Sequence, residues 1–324
     1  MILTERLKFW WNCSRAFALP VTVMSWLVVF IYAIVEGGDI LKGIIALVGV
    51  SFAHLATNIF DDYNDYNILK KDESFLKSAQ ICKCKFITDG LVSHKGMLVA
   101  GLVCLFIAIL IGALLVFLSG AGVIYVALLA GIFVVFYSKF TLIGLGEFAV
   151  GITYGPLLFE GVYYSMTGSF SKELLLLSVA VCMFVIAFLY THTVLDYDGD
   201  LCSHKKTLAC SFKNKDESLK ALAAFYLIGY SAITVFAIKS GMYILFSAFL
   251  TLPLVFKLYE TMKVFNRDKT FVPEIFWWNY PLGNWEHIVD EGTQSFYLRL
   301  YLARNINTYF TMLVCLSFLL EKFL

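Results

Sequence analysis

Nine apolar runs, each long enough or nearly so to cross about 30 Å of hydrocarbon as a helix, constrain what this chain can fold into. They lie at about 16–36, 41–60, 97–118, 121–137, 147–165, 174–195, 220–239, 241–259 and 305–321. A helix satisfies its own backbone hydrogen bonds, which is why segments of this length and polarity read as spans. Of 324 residues, 60% are hydrophobic and 15% charged, with a mean hydropathy of +0.79, too apolar for a soluble domain of this size. The fold class is therefore all-α: a polytopic membrane protein, a bundle of nine transmembrane helices in one domain over 1–324.

Charge placement orients the bundle. With the N-terminus in the cytoplasm, 21 of the 25 Lys and Arg fall on that side, as the positive-inside rule requires. The net charge of +1 gives no sign of a nucleic-acid partner. The first run follows Arg6, Lys8 and Arg15 without a small-residue cleavage site, and reads as a retained helix rather than a signal peptide. Trp10, Trp11, Trp26, Trp277 and Trp278 are expected at the membrane interfaces as anchors. The eight Cys are expected reduced; Cys82 and Cys84 with His94, and Cys202 and Cys210 with His204, lack the paired spacing of zinc sites. The long segment at about 260–304, rich in Trp and Pro, is expected to hold an interfacial amphipathic helix, with a lid as the second reading.

Two acidic clusters interrupt this apolar pattern, each at the end of a run: Asn58-Ile59-Phe60-Asp61-Asp62-Tyr63-Asn64-Asp65 and Asp196-Tyr197-Asp198-Gly199-Asp200. Ionisable groups there are costly and mark places where cations and polar substrates are handled. On a helix, Asn58, Asp61 or Asp62, and Asp65 share one face, and Asp196 and Asp200 repeat the i, i+4 logic while Asp198 points elsewhere. Both clusters precede Lys-rich loops on the same side, so the chain reads as two pseudo-repeated halves, about 1–140 and 141–324, sharing one site. Grouped carboxylates need a cation between them, and hard oxygen ligands suit Mg²⁺, which keeps positions free for phosphate oxygens. Lys139, Lys205 and Lys206, with Lys83 and Lys85 behind them, are placed to neutralise a diphosphate.

These residues resemble the UbiA superfamily of intramembrane prenyltransferases, most closely its 1,4-dihydroxy-2-naphthoate branch in menaquinone biosynthesis. That branch carries N-x-x-N-D-Y-F-D-Y, against Asn58-Ile59-Phe60-Asp61-Asp62-Tyr63-Asn64-Asp65-Tyr66 here, and N-N-x-R-D-x-E-x-D followed by G-K-R-T-L-A, against His192 to Asp200 and then His204 to Ala209. Gly144-Leu145-Gly146-Glu147 and Gly155-Pro156-Leu157 are also similar to its fifth helix. The resemblance implies Mg²⁺-dependent transfer of a polyprenyl group from its diphosphate to an aromatic acceptor, in a lateral cavity of a nine-helix bundle. By position it implies that Asn58, Asp62, Asp65, Asp196 and Asp200 hold Mg²⁺ and diphosphate, with Lys205, Lys206, Tyr137 and Lys139 assisting. Membrane lipid is the surrounding, a prokaryotic cell membrane the expected location, and the site opens to the cytoplasm; no obligate protein partner is implied.

The chain departs from the branch at Asp61, where the branch has Asn, at His192 and Thr193 in place of an Asn pair, at Leu195 in place of a basic residue, and at Asp72, displaced by one residue. Residues beside the second motif are expected to touch the acceptor or its counter-charge, and His192, with Asp61 of the first motif, is counted with the substrate-binding set. Competing acceptors are 4-hydroxybenzoate, haem and an archaeal lipid. A cation-coupled transporter is the reading of another class, but it places its acidic groups near the midplane in broken helices. A CDP-alcohol phosphotransferase is disfavoured because its Asp-Gly and Ala-Arg signature is missing from the sequence.

Overall fold

A computed structural model describes residues 3–69, 84–202 and 206–321. Among them no strand occurs, and the chain runs through helices joined by short turns. Leu3–Cys13 (α1) leads through a single 3-10 turn into Leu19–Val35 (α2) and Ile40–Leu69 (α3). After Lys85–Thr88 (α4) come His94–Ser119 (α5), Gly122–Leu142 (α6), Gly146–Ile152 (α7) and Leu158–Thr167 (α8). The second half holds Lys172–Leu195 (α9), Tyr197–Cys202 (α10), Lys215–Ser240 (α11), Leu252–Arg267 (α12), Trp285–Asp290 (α13) and Gln294–Glu321 (α14). Starts are fixed by side-chain caps: Ser93, Ser171 and Asn214 accept from the backbone N–H three residues on, at 3.0, 3.2 and 2.9 Å.

Helix α9 is the hub. Leu174, Leu177, Phe184, Val185, Ile186 and Tyr190 are all fully buried along it, and it packs on α7, α11 and α14. Phe184 stacks on Phe310 of α14 at 3.7 Å between ring centroids. The last helix returns to the first span, with Phe318 of α14 edge-on to Tyr32 of α2, and α3 packs along α5, so the bundle closes on itself. The large apolar side chains left exposed, Val99, Leu102, Phe106, Ile109 and Leu110 on α5 and Tyr125, Leu128 and Ile132 on α6, form outward faces suited to lipid.

Seven helical stretches among the described residues are long and apolar enough to cross a membrane. Two of the nine expected runs differ, and each has a physical reason. The run at 147–165 is helical but broken by a π-turn, Thr153–Leu157, where Pro156 has no N–H to give and Gly155 leaves helical geometry. A Cβ on Gly155 would lie 2.6 Å from Cβ of Cys182, so the missing side chain is what lets this segment approach α9. The run at 305–321 is the second part of α14, whose first part carries Arg299, Arg304, Asn305 and Asn307.

The 260–304 segment does not form the expected interfacial helix as its main element; only the six-residue α13 is helical within it, besides the ends of α12 and α14. It is stitched down by side chains of α14. Arg299, fully buried, donates to the Thr261 carbonyl at 2.8 Å, and Asn305 donates to the carbonyls of Trp278 and Tyr280 at 2.7 and 2.8 Å. Trp26 is a second correction: rather than anchoring at the interface it is buried, stacked on Phe30 and donating Nε1–H to the Gly43 carbonyl at 2.9 Å. A Cβ on Gly43 would lie 2.6 Å from the Phe30 ring that stacks on the indole, so the missing side chain leaves room for the pair. Trp10, Trp11 and Trp277 are exposed as expected of anchors.

Candidate active site

The first acidic motif is built into the last turns of α3. His54, Asn58, Asp61 and Asp65 follow at i, i+4, i+7 and i+11 and share one face, with Asp62 beside them. Asp61, Asp62 and Asp65 are buried, at 2%, 2% and 5% exposure, which in an apolar bundle demands compensation. Arg15 supplies it. In the elbow between α1 and α2 its backbone takes a left-handed conformation, φ 53°, which a non-glycine residue adopts at a cost of roughly 1 kcal/mol. The side chain then reaches α3, where Nη2 donates to Asp61 Oδ2 at 3.0 Å and to the Asn58 carbonyl at 2.9 Å and pairs with Asp62 Oδ1 at 3.3 Å. Burial works against the guanidinium's charge, but Asp62 and Asp61 outweigh it and hold Arg15 above its ordinary range.

Neighbouring contacts fix this face. Asn58 donates to the Ser14 carbonyl at 3.1 Å, Asn64 to the Ser138 hydroxyl of α6 at 3.1 Å, and the buried Cys84 thiol to the Asp62 carbonyl at 3.2 Å. Tyr63 stacks on His94 at 4.0 Å. Tyr137 on α6 is half-buried and acts electrostatically on Arg15, which brings it to the same face. Lys139, one turn end further, is exposed, with its ammonium over the Phe136 ring at 4.9 Å.

The second motif caps α9. Asp196 stands at the helix C-terminus and the Asp200 N–H donates to its carbonyl at 2.9 Å, so helical bonding resumes into α10 and the two carboxylates keep the i, i+4 relation. His192 Nδ1 lies 3.4 Å from Asp196 Oδ2, both about half exposed. Asp200 is buried and in electrostatic reach of Glu147 and Cys210. Glu147, also buried, accepts from the Thr193 hydroxyl at 3.1 Å and so ties α7 to α9. Asp198 points away, as its spacing predicts: it is bound by Lys215 and Lys269. Burial pushes its carboxyl up, and the two lysines overcome this and hold it below the usual carboxylate range. Lys206 is exposed with its carbonyl over Gly144, whose φ of +78° makes the turn into α7; Lys205 lies outside the described residues.

Short connections between successive helices alternate their direction, which puts the C-termini of α3, α6 and α9 at one end with the start of α2. Both motifs are at that end. Apart from His192, the donors they bring are carboxylate and amide oxygens, a hard set of the kind Mg²⁺ takes. Among the described residues no three His, Cys, Asp or Glu already stand as a metal cluster, and Arg15 is a cation that both Asp61 and Asp62 meet. Arg15 was legible in the sequence only as an orientation charge. His54 carried a signal that could have been read, an ionisable residue inside an apolar run.

Comparisons with known proteins show the family and the fold. The UbiA prenyltransferase family profile matches residues 19–280. The chain is 22% identical over 225 residues to a 1,4-dihydroxy-2-naphthoate octaprenyltransferase of Haemophilus influenzae, covering 64% of this chain and 70% of that protein. Its fold is similar to that of a UbiA homologue from Aeropyrum pernix, at TM-score 0.60 and 14% identity over 93% of this chain and 97% of that one. It is also similar to a digeranylgeranylglyceryl phosphate synthase, at TM-score 0.60 and 14% identity over 98% and 99%, and to a UbiA homologue from Archaeoglobus fulgidus bound to GPP and Mg²⁺, at 0.52 and 13% over 92% and 99%.

Proposed function

Since the chain belongs to the UbiA prenyltransferase family and is an integral membrane prenyltransferase, we propose that it transfers a polyprenyl group from polyprenyl diphosphate to 1,4-dihydroxy-2-naphthoate in menaquinone biosynthesis, using Mg²⁺. The observation that carries this reading is the placement of two acidic motifs at one end of the bundle, one braced by Arg15 and buried, the other half open at Asp196. The naphthoate acceptor is supported by the Haemophilus relative's name and by the motif likeness, and Mg²⁺ by the oxygen donor set. The charge pattern supports an N-terminus and site opening on the cytoplasmic side of a prokaryotic cell membrane. The ends of α3 and α9 are the corresponding half-sites of two pseudo-repeated halves.

Asn58, Asp62 and Asp65 from α3 and Asp196 and Asp200 from the α9–α10 junction would hold the ion. Bound there, Mg²⁺ neutralises the diphosphate and makes it a better leaving group. Arg15 holds Asp61 and Asp62 in place before substrate arrives, so little reorganisation is left for the reaction. Lys205, Lys206 and Lys139 add positive charge around the departing diphosphate, and His192 and Asp61 border the acceptor. The allylic C–O bond then ionises, the Tyr137 ring face shelters the cation, and exclusion of water leaves the electron-rich ring as the nucleophile.

Asp62→Ala and Asp196→Ala are each expected to abolish turnover while folded protein remains in the membrane. The deciding experiment is Mg²⁺-dependent release of diphosphate from labelled polyprenyl diphosphate by purified protein, offered dihydroxynaphthoate, 4-hydroxybenzoate, haem, a glyceryl phosphate lipid or nothing. Prenylated naphthoate as the sole product supports the proposal. Product with another acceptor replaces the acceptor and keeps the reaction.

A further inference from the structure

We propose that His54 is a further catalytic residue of this reaction, binding the ring hydroxyl of the aromatic acceptor and taking its proton as the new bond forms. The inference rests on the aromatic acceptor proposed above. His54 stands one helical turn before Asn58 on the same face of α3, about 6 Å along the axis from the first acidic motif. Its ring is held on two sides. Nδ1 lies 2.6 Å from the hydroxyl of Thr22, a fully buried residue of α2, and Tyr154 packs edge-on at 5.6 Å. Tyr154 also hydrogen-bonds Thr22 and belongs to the π-turn that breaks the 146–167 segment. Such turns are frequent at functional sites because they re-aim side chains.

A purely structural histidine tying α2 to α3 would use both ring nitrogens, because an unused one is costly in a dry interior. Here Nε2 bonds none of the described residues and is not among the polar atoms sealed from open space. We assign the ring proton to Nδ1, donated to Thr22, which leaves the lone pair of Nε2 available to an acceptor hydroxyl. A neutral imidazole in that position suits a phenolic O–H and does not compete for the diphosphate, which the carboxylates and their cation attract.

In the step itself the hydroxyl proton passes to Nε2 and the oxygen's electron pair flows into the ring. A ring π pair forms the bond to the allylic cation, whose C–O pair has already left with the diphosphate.

The test is a cycle that removes the two partners of the contact separately and together. Wild type and His54→Gln are assayed with the hydroxylated acceptor, dihydroxynaphthoate or 4-hydroxybenzoate, and with its O-methyl ether, and geranyl diphosphate affinity is measured on both proteins. His54→Gln is expected to lower kcat by about 10²-fold or more, the usual contribution of a positioned acid or base, with diphosphate affinity unchanged. Methylating the hydroxyl should slow wild type by a similar factor and the variant little further, so the two losses do not multiply. Losses that multiply, or diphosphate affinity falling with kcat, would overturn the role of His54. Should His54→Gln fail to fold, Thr22→Val and Thr22→Ser enter the same cycle, with loss expected for Val and recovery for Ser. An active wild type with multiplicative losses removes this inference alone; a wild type inert toward both aromatic acceptors removes the aromatic reading and this inference with it.

Discussion

Arg15 is a main brace of the first motif. Two carboxylates at 2% exposure need compensation in an apolar bundle, and the arginine's left-handed backbone is a local strain that the double contact offsets. Arg15→Ala leaves Asp61 and Asp62 buried without it. The expected loss is about 3 kcal/mol, the lower end for breaking a buried ion pair since Arg15 itself is partly exposed, seen as a lower melting midpoint in detergent. Added Mg²⁺ should raise that midpoint more in the variant than in wild type; an equal rise in both would mean that arginine and metal do not share these carboxylates. The sequence displayed the acidic residues and their helical spacing, but the partner of Asp61 lies 46 positions away in an elbow whose geometry no local pattern encodes.

Two elements carry predictions of their own. At the π-turn, Gly155→Ala would place a Cβ 2.6 Å from Cβ of Cys182 and 3.0 Å from the Ser178 carbonyl, forcing the break away from α9. Overpacking of this kind costs about 1–3 kcal/mol, and Cys182→Gly in the same chain should recover part of the lost melting midpoint. At the α9–α10 junction, Asp198 joins α10 to Lys215 of α11 and to Lys269 beyond α12. Its carboxyl is depressed in the folded state, so this stabilisation is present above the ordinary Asp range near ~3.9 and is lost as pH falls through the lower folded value. Because Asp198 is 44% exposed, solvent screening keeps the contribution of the pair below about 1 kcal/mol. Melts of Asp198→Asn and wild type should therefore differ slightly at pH 7 and converge toward pH 3. At this scale apolar length and the i, i+4 rule made α3 and α9 legible. The Gly155-Pro156 pair was visible too, but a break depends on what packs against it, and the 268–293 path depends on long-range bonds from Arg299 and Asn305.

For the whole molecule, the bundle separates its charges by end as well as its chemistry. The elbow at Arg15, the ends of α3, α6, α9 and α12 and the starts of α11 and α14 share one end, and the sequence count assigns 21 of the 25 Lys and Arg to the segments flanking them. Of the remaining four, Lys42, Lys172 and Lys239 mark turns at the opposite end. Translocating clustered basic loops is disfavoured, so the acidic motifs should face the cytoplasm, where soluble diphosphate can leave and Mg²⁺ is available. Trypsin should therefore cleave the protein extensively in inverted membrane vesicles, around Lys85 and around Lys213. In right-side-out vesicles, cleavage should be confined to the turns near Lys42, Lys172 and Lys239. The opposite pattern would turn the bundle over and put the acidic motifs, and with them diphosphate release, on the outer face.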